Sequence, residues 1–319
     1  MAWVGDTARS GTHSGTGVGP MSLNVLALIG AMLTIATPLV WAGIGEVIVE
    51  RSGVLNLGIE GTMYLGAFVG FLAALRTGSV WVGLMAAIAA GLLAGALMGL
   101  FAVTLGLNQH VAGLGLTLLL IAACDFTFRL LYAGERPTLD DKFHVLFRGA
   151  EVVDQHWLTY AGFLVLAPLA WWVLSSTGLG ARLHAVGENF EAADVAGISV
   201  ARTQYAALVV GGALMAVGGA FLTLAVLGSF TLDVISGRGW VCIALVIFAR
   251  WRVWPAVLGA LVFAGTNALQ LQLAITPAFG SVPGELMLAL PYLAVIAALA
   301  IGGRSVRYPG SYLKAYRRG

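Results

Sequence analysis

The chain has 319 residues, 59% hydrophobic and 10% charged, with 43 glycines and a mean hydropathy of +0.92. An ordinary soluble domain is about 25% charged, and one soluble core of this size leaves many residues on a wet exterior. Soluble, disordered, collagenous and disulfide-scaffold proteins are thereby excluded, and an all-α polytopic membrane protein remains. The net charge of +2 implies no nucleic-acid partner.

Residues 1–20 carry Asp6, Arg9 and a Gly/Ser/Thr-rich run, without the apolar stretch of a secretory signal. They read as a flexible N-terminal arm, with Met21 as an alternative start. Apolar segments follow at 23–45, 53–75, 79–106, 109–133, 158–176, 204–228, 240–249, 254–275 and 284–303. A helical crossing needs about 20 apolar residues, so only 240–249 is too short and suits a half-helix or re-entrant piece. The expectation is a membrane domain over 21–303 with about 8–10 transmembrane helices, some broken or re-entrant.

The tail 304–319 holds Arg304, Arg307, Lys314, Arg317 and Arg318 and no acid, which places it in the cytoplasm. If 240–249 completes a crossing with its flanks, loop 134–157 is external and 177–203 cytoplasmic. The N-terminus is then external. Gly91, Gly95 and Gly99, and Gly66 with Gly70, are small-residue steps that let helices approach in lipid. Packing within the chain is the preferred reading, ahead of a dimer seam. Trp81, Trp157, Trp240, Trp251 and Trp254 sit near segment ends, as interface anchors do. Cys124 and Cys242 lie in apolar runs and read as small buried hydrophobes.

Lys142 and Lys314 both lack the flanking Gly and Ser/Thr of a phosphate-cradling loop, so ATP hydrolysis by this chain is not expected. HExxH, GxGD and GxSxG are absent as well, and no catalytic or metal-ligating residue is assigned.

Polar groups inside apolar spans are costly and need a reason. Asn56, Glu60 and Tyr64 are spaced i, i+4, i+8, which predicts one helical face, weakened by Gly58 and Gly61. Two readings of Glu60 stand: a translocation-path or gating group, or an internal hydrogen-bond knot with a buried arginine. Arg238 is the candidate partner, with interface headgroups as its other option. Asp125 and Arg129, at i, i+4, read as a self-neutralising pair. Thr266, Asn267 and Gln270 form a polar stripe that faces either a hydrophilic path or neighbouring helices.

The segment after Arg182 contains a short helix signal: Asn189 as N-cap, Glu191 in the first turn and Gly197 just past the end. Glu191 and Asp194 lie near one side, and Phe190, Ala193 and Gly197 near another. So short a helix is unstable alone and must dock, on its own bundle or on a soluble partner.

Four blocks then resemble one family. Glu50-Arg-Ser-Gly-Val-Leu-Asn-Leu-Gly-Ile-Glu-Gly61 is similar to the early signature of bacterial ABC-importer permeases for nucleosides and simple sugars, relatives of ribose and branched-chain amino-acid permeases. Residues 185–200 resemble the cytoplasmic loop that engages the ATPase, 237–251 a third block, and Pro291-Tyr with 302–312 the family's close. Phe190 stands where the pattern has Pro, loosening the start of the coupling helix, and Ala249 where it has Gly. The resemblance implies a permease subunit moving a nucleoside or simple sugar across the cytoplasmic membrane by alternating access. It also implies a second permease subunit, an extracytoplasmic solute-binding protein, and ATPase subunits that carry ATP and Mg. This chain itself would hold no cofactor. The ATPase-coupling loop would comprise Gly187, Glu188, Asn189, Phe190, Glu191, Ala192, Ala193, Asp194 and Gly197. Asn56, Glu60, Tyr64, Arg238, Asn267 and Gln270 would be the path or gating residues. The rival is an ion-coupled carrier or channel using Glu60 as its coupling site.

Overall fold

The computed structural model describes residues 25–147, 149, 152–274, 283–302 and 309–312. The N-terminal arm, Met21 and the basic tail 304–308 and 313–319 lie outside the described residues. Among the described residues, twelve α-helices follow one another in this order. They are α1 (Val25–Arg51), α2 (Ile59–Thr77), α3 (Val80–Gly99), α4 (Gln109–Tyr132), α5 (Trp157–Tyr160) and α6 (Ala167–Ser176). The remainder are α7 (Gly178–Glu188), α8 (Phe190–Val195), α9 (Val200–Phe221), α10 (Arg238–Phe248), α11 (Val253–Ala274) and α12 (Gly284–Gly302). Wide π-turns extend α3 through Leu100–Thr104, join α5 to α6 through Ala161–Leu166, and extend α9 through Leu222–Leu227.

Among the described residues, seven of these stretches are long and apolar enough to cross a bilayer, and α10 is a shorter apolar helix. Each expected segment overlaps one of these helices, though the second is helical only from Ile59. The ten-residue piece became α10, too short to span alone at about 1.5 Å per residue.

α9 is the central post. α1 runs antiparallel to it, with Gly45 against Gly211 near one end and Pro38 against Gly218 near the other. α2 runs parallel to it, with Met63 against Gly219 and the Thr223 hydroxyl donating to the Ala67 carbonyl at 3.0 Å. α3 is antiparallel again, Gly83 meeting Leu224 and Gly95 meeting Leu208. Gly91 likewise faces Gly212 and Gly99 faces the Tyr205 ring. These small-residue steps therefore pack inside the chain.

The two ends of the bundle differ. One holds Arg51, α7, α8 and the start of α9. The other holds the 133–156 loop, bridged through Thr138 to Ser229 and through the Leu139 amide to the Gly228 carbonyl at 2.8 Å. α5 is tied to α1 beside this loop: Thr37 donates to Thr159 at 2.9 Å and the Trp41 indole to the Leu158 carbonyl at 3.0 Å. Loop 134–157 and segment 177–203 thus occupy opposite ends of the bundle.

Two expectations change. Trp251 is 4% exposed and belongs to the core, because its indole satisfies a buried carboxylate instead of a headgroup. Asp125 makes no ion pair with Arg129: its carboxylate meets the Tyr64 hydroxyl, while Arg129 is exposed.

A Cβ at residue 95 would run into the Leu208 backbone, whereas one at Gly115 meets nothing within 4 Å. Gly95→Val is expected to cost about 1–3 kcal/mol or more by overpacking. Its monodisperse yield in size-exclusion chromatography should fall several-fold, with Gly115→Ala unchanged.

Candidate functional site

The break between α1 and α2 organises the site. α1 ends at Arg51, Gly53 turns the chain at φ +86°, and residues 54–58 run without helical bonds back into the bundle. Unwound backbone inside a membrane protein needs protein partners. α4 supplies two, Gln109 accepting from the Leu55 amide at 2.8 Å and Thr117 donating to the Leu57 carbonyl at 2.8 Å. α9 supplies a third, Gln204 donating to the Ser52 carbonyl at 3.3 Å.

Asn56 therefore precedes α2 and does not share a helical face with Glu60 and Tyr64. Its side-chain oxygen accepts from the Gly58 amide at 3.1 Å and its amide approaches Met215 Sδ at 3.5 Å. Glu60, in the first turn of α2, reaches the start of α10. One carboxylate oxygen accepts from the Gly237 amide at 2.8 Å and the other from the Gly239 amide at 2.7 Å. Anionic caps at helix N-termini are favourable, and this acid lies at two at once. Residue 239 must be small, since a Cβ there would sit 2.7 Å from the Glu60 backbone.

The knot is real, but its partner is backbone and not arginine. Arg238 turns the other way and donates to the carbonyls of Val234 at 3.1 Å and Ile235 at 2.9 Å. Tyr64 lies within hydrogen-bonding distance of the Asp125 carboxylate and, at 2.8 Å, of the Leu232 carbonyl. Its ring borders Phe230, with centroids 5.3 Å apart, and Phe68, Phe71 and Phe128 surround the same Phe230. Segment 228–237, which descends from the end that carries the 133–156 loop to the level of Glu60, is thus held at 230, 232, 234, 235 and 237. Thr231, Asp233, Ser236 and Trp240 are exposed along it. Asn267 is half-buried and Gln270 buried on α11, neither of them in this knot.

α10 carries the site to the opposite end. Its 11 residues span about 16 Å and finish in a turn where Arg250 and Trp251 hold φ of 52° and 56°. Non-glycine residues in this region cost about 1 kcal/mol or more each. Two bonds from the end of α1 hold the turn: the Trp251 indole donates to Glu50 Oε2 at 2.5 Å, and Arg51 Nε donates to the Trp251 carbonyl at 2.8 Å. Glu46 and Glu50 are one helical turn apart and both fully buried. Ala249 sits at φ −70°, so glycine is not required there.

α8 docks on this same corner. Asn189 caps it through the Ala192 amide at 3.0 Å, and Gly197 ends it at φ +79°. Phe190 and Ala193 are buried. The Phe190 ring packs on Gly53, and its amide donates to Ser311 Oγ at 3.1 Å. Far from loosening the helix start, Phe190 anchors it. Gly187 abuts the Arg51 carbonyl and accepts from the Ser311 amide at 2.8 Å, Gly310 packs on Glu188, and the Tyr312 and Trp251 rings lie 5.9 Å apart. Glu188, Glu191, Ala192 and Val195 face outward, Val195 at 91% exposure. Of the two docking surfaces open to α8, its own bundle takes one face and leaves the other bare.

Four separated sequence blocks thus meet at one corner. Sequence reasoning missed Trp251, Glu46, Asp125 and Asp233 as parts of this machinery. The partners of Trp251 and Asp125 lie 201 and 61 positions away, so spacing alone carries no signal for them.

A family model described as the permease component of branched-chain amino acid transport systems matches residues 28–299. A glucose ABC transporter permease protein of Haloferax volcanii, provisionally so named, is 34% identical over 91% of this chain and 97% of its own. The nucleoside ABC transporter permease protein of Lactococcus lactis is 32% identical over 88% of this chain and 93% of its own. The guanosine ABC transporter permease protein of Bacillus subtilis is 30% identical, covering 85% and 90%. No solved structure matches the chain.

Replacing Glu60 by Gln leaves one of the two amides facing an N–H, at a cost of about 1–3 kcal/mol. Glu60→Gln and Trp251→Phe should each lower the unfolding temperature of the solubilised protein by several degrees, read by differential scanning fluorimetry. An unchanged transition in both would remove the knot from the account.

Proposed function

This chain belongs to the permease-component family of branched-chain amino acid transport systems. It is a multi-pass permease subunit of an ATP-binding-cassette transporter in the cytoplasmic membrane, and we propose that it imports a nucleoside, with a simple sugar as the second choice. The block 50–61 resembles nucleoside-type permeases, and two of the three relatives above carry nucleoside names. An extracytoplasmic binding protein delivers the cargo, and two permease subunits enclose the path. The exposed side of segment 228–240, with Thr231, Asp233, Ser236 and Trp240, faces that path.

ATP and Mg are held by a separate ATPase that grips the bare face of α8. The observation that carries this reading is the unbroken chain of contacts from α8 to mid-bundle. Phe190 presses on Gly53, the 54–58 strip leads to Glu60, and Glu60 holds the head of α10. Displacing α8 therefore displaces segment 228–237. Only unequal affinity of the ATPase for two arrangements can drive the switch, and nucleotide binding supplies it. Coupling to an ion at Glu60 fits less well, because both carboxylate oxygens are already occupied by backbone amides.

Val195 touches no core, so Val195→Asp should leave membrane insertion intact. It should reduce co-purification of the ATPase and uptake at least about tenfold, as loss of a central interface anchor does. Full retention of both would sink the docking assignment. For cargo, thermal-shift screening of the binding protein encoded beside this gene should give its largest stabilisation with purine or pyrimidine nucleosides. A partner that responds to sugars and ignores nucleosides would reverse the order.

A further inference from the structure

An apolar groove opens between α1, α6, α7 and α9, on the flank of the bundle away from the Glu60 knot. Its cavity is about 470 Å³. Ile48, Leu169, Val173, Leu179, Val210 and Leu214 are among its lining residues, and Arg182 and Arg202 are the charged ones. Both arginines are exposed, and neither makes an ion pair with another described residue.

Depth and surroundings narrow the occupant. Arg182 belongs to α7 and Arg202 to the first turn of α9, so the basic rim lies at the end that carries α8. The flank beside the groove is the outer face of α6 and of the π-turn before it, where Leu164, Val165, Leu169, Trp171 and Trp172 are all exposed. Apolar walls opening sideways onto such a face suit hydrocarbon, and tryptophans mark headgroup level. Two unpaired guanidiniums at the cytoplasmic rim suit a phosphate diester, which each can hold through paired N–H groups. A soluble phosphate would leave the walls empty, and a neutral chain would leave the rim unpaired.

We propose that this groove binds an anionic phospholipid of the inner leaflet, its phosphate between Arg182 and Arg202 and an acyl chain along α6 and α9. The lipid would wedge α7, whose far end leads directly into α8. The groove is thus placed to tune the docking helix without touching the cargo path. This inference uses the orientation of the bundle and is independent of what is transported.

The test uses the assembled transporter in nanodiscs containing photoactivatable phosphatidylglycerol or photoactivatable phosphatidylcholine, with mass-spectrometric mapping of labelled peptides. Label on α6 and α9 should favour phosphatidylglycerol by about tenfold in the native protein. Arg182→Gln with Arg202→Gln should erase that preference. Ala206→Trp, which fills the groove and spares both arginines, should remove label from either lipid. Equal labelling by the two lipids in the native protein, or a preference that survives the double substitution, overturns the proposal. So does inorganic phosphate at millimolar concentration displacing the label, or the groove peptides cross-linking to another subunit in place of lipid.

Discussion

The placement of one carboxylate sets the rest of this molecule. Glu60 lies where two helices begin, α2 and α10, and its oxygens take the Gly237 and Gly239 amides. In a low-dielectric interior a lone acid is costly, and so are the open amides of a helix start. Brought together they satisfy each other, and neither broken helix could end at this depth without the other. Gly239 follows from this contact, because only a residue without a side chain lets the α10 backbone reach the acid, and Gly237 turns the chain into α10 at φ +79°. The unwound strip 54–58 follows too, since α2 must begin deep in the bundle for Glu60 to arrive there.

The same logic repeats at the other end of α10. Glu50 is fully buried and would be untenable without the Trp251 indole, which is carried there by a turn of two residues at positive φ. α10 is therefore a rod clamped by an acid at each end, both acids belonging to the chain that enters and leaves the α1–α2 break. The α1–α2 break, segment 228–237 and the turn after α10 thus form one connected path, while α1, α3 and α9 form a close-packed frame around it. Closeness there comes from glycine facing glycine, with dispersion contacts taking the place that the hydrophobic effect cannot fill in lipid.

What sequence reasoning could read here was periodic or local. Helix positions, the half-length of α10, the cap at Asn189 and the stop at Gly197 depend on neighbours within a few residues, and all are where the pattern puts them. Partner choice was not local. Asp125 has an arginine four residues away and uses a tyrosine sixty residues earlier, because Arg129 can reach water or headgroups at lower cost. Asn56 fits a helical spacing yet lies in the unwound strip, because Glu60 must begin a helix and Gln109 and Thr117 stand ready to satisfy the residues before it. Trp251 resembled an interface anchor, and nothing nearby announced a buried acid 201 positions away. The Ala249 departure proved harmless, since the unusual backbone geometry falls one residue later.

α8 has six residues, too few to hold a helix in water without a support. Its form is borrowed from Gly53, Ser311 and the Trp251 corner, which come from the start, the close and the late middle of the chain. The bare face of α8 is therefore conditional: it exists only after α1, α10 and the residues near 311 have come together. A partly synthesised or misassembled permease would present no such handle. On the docking role proposed for α8, the helix would act as a certificate of completed folding, confining a nucleotide-hydrolysing partner to membranes where a finished bundle awaits it.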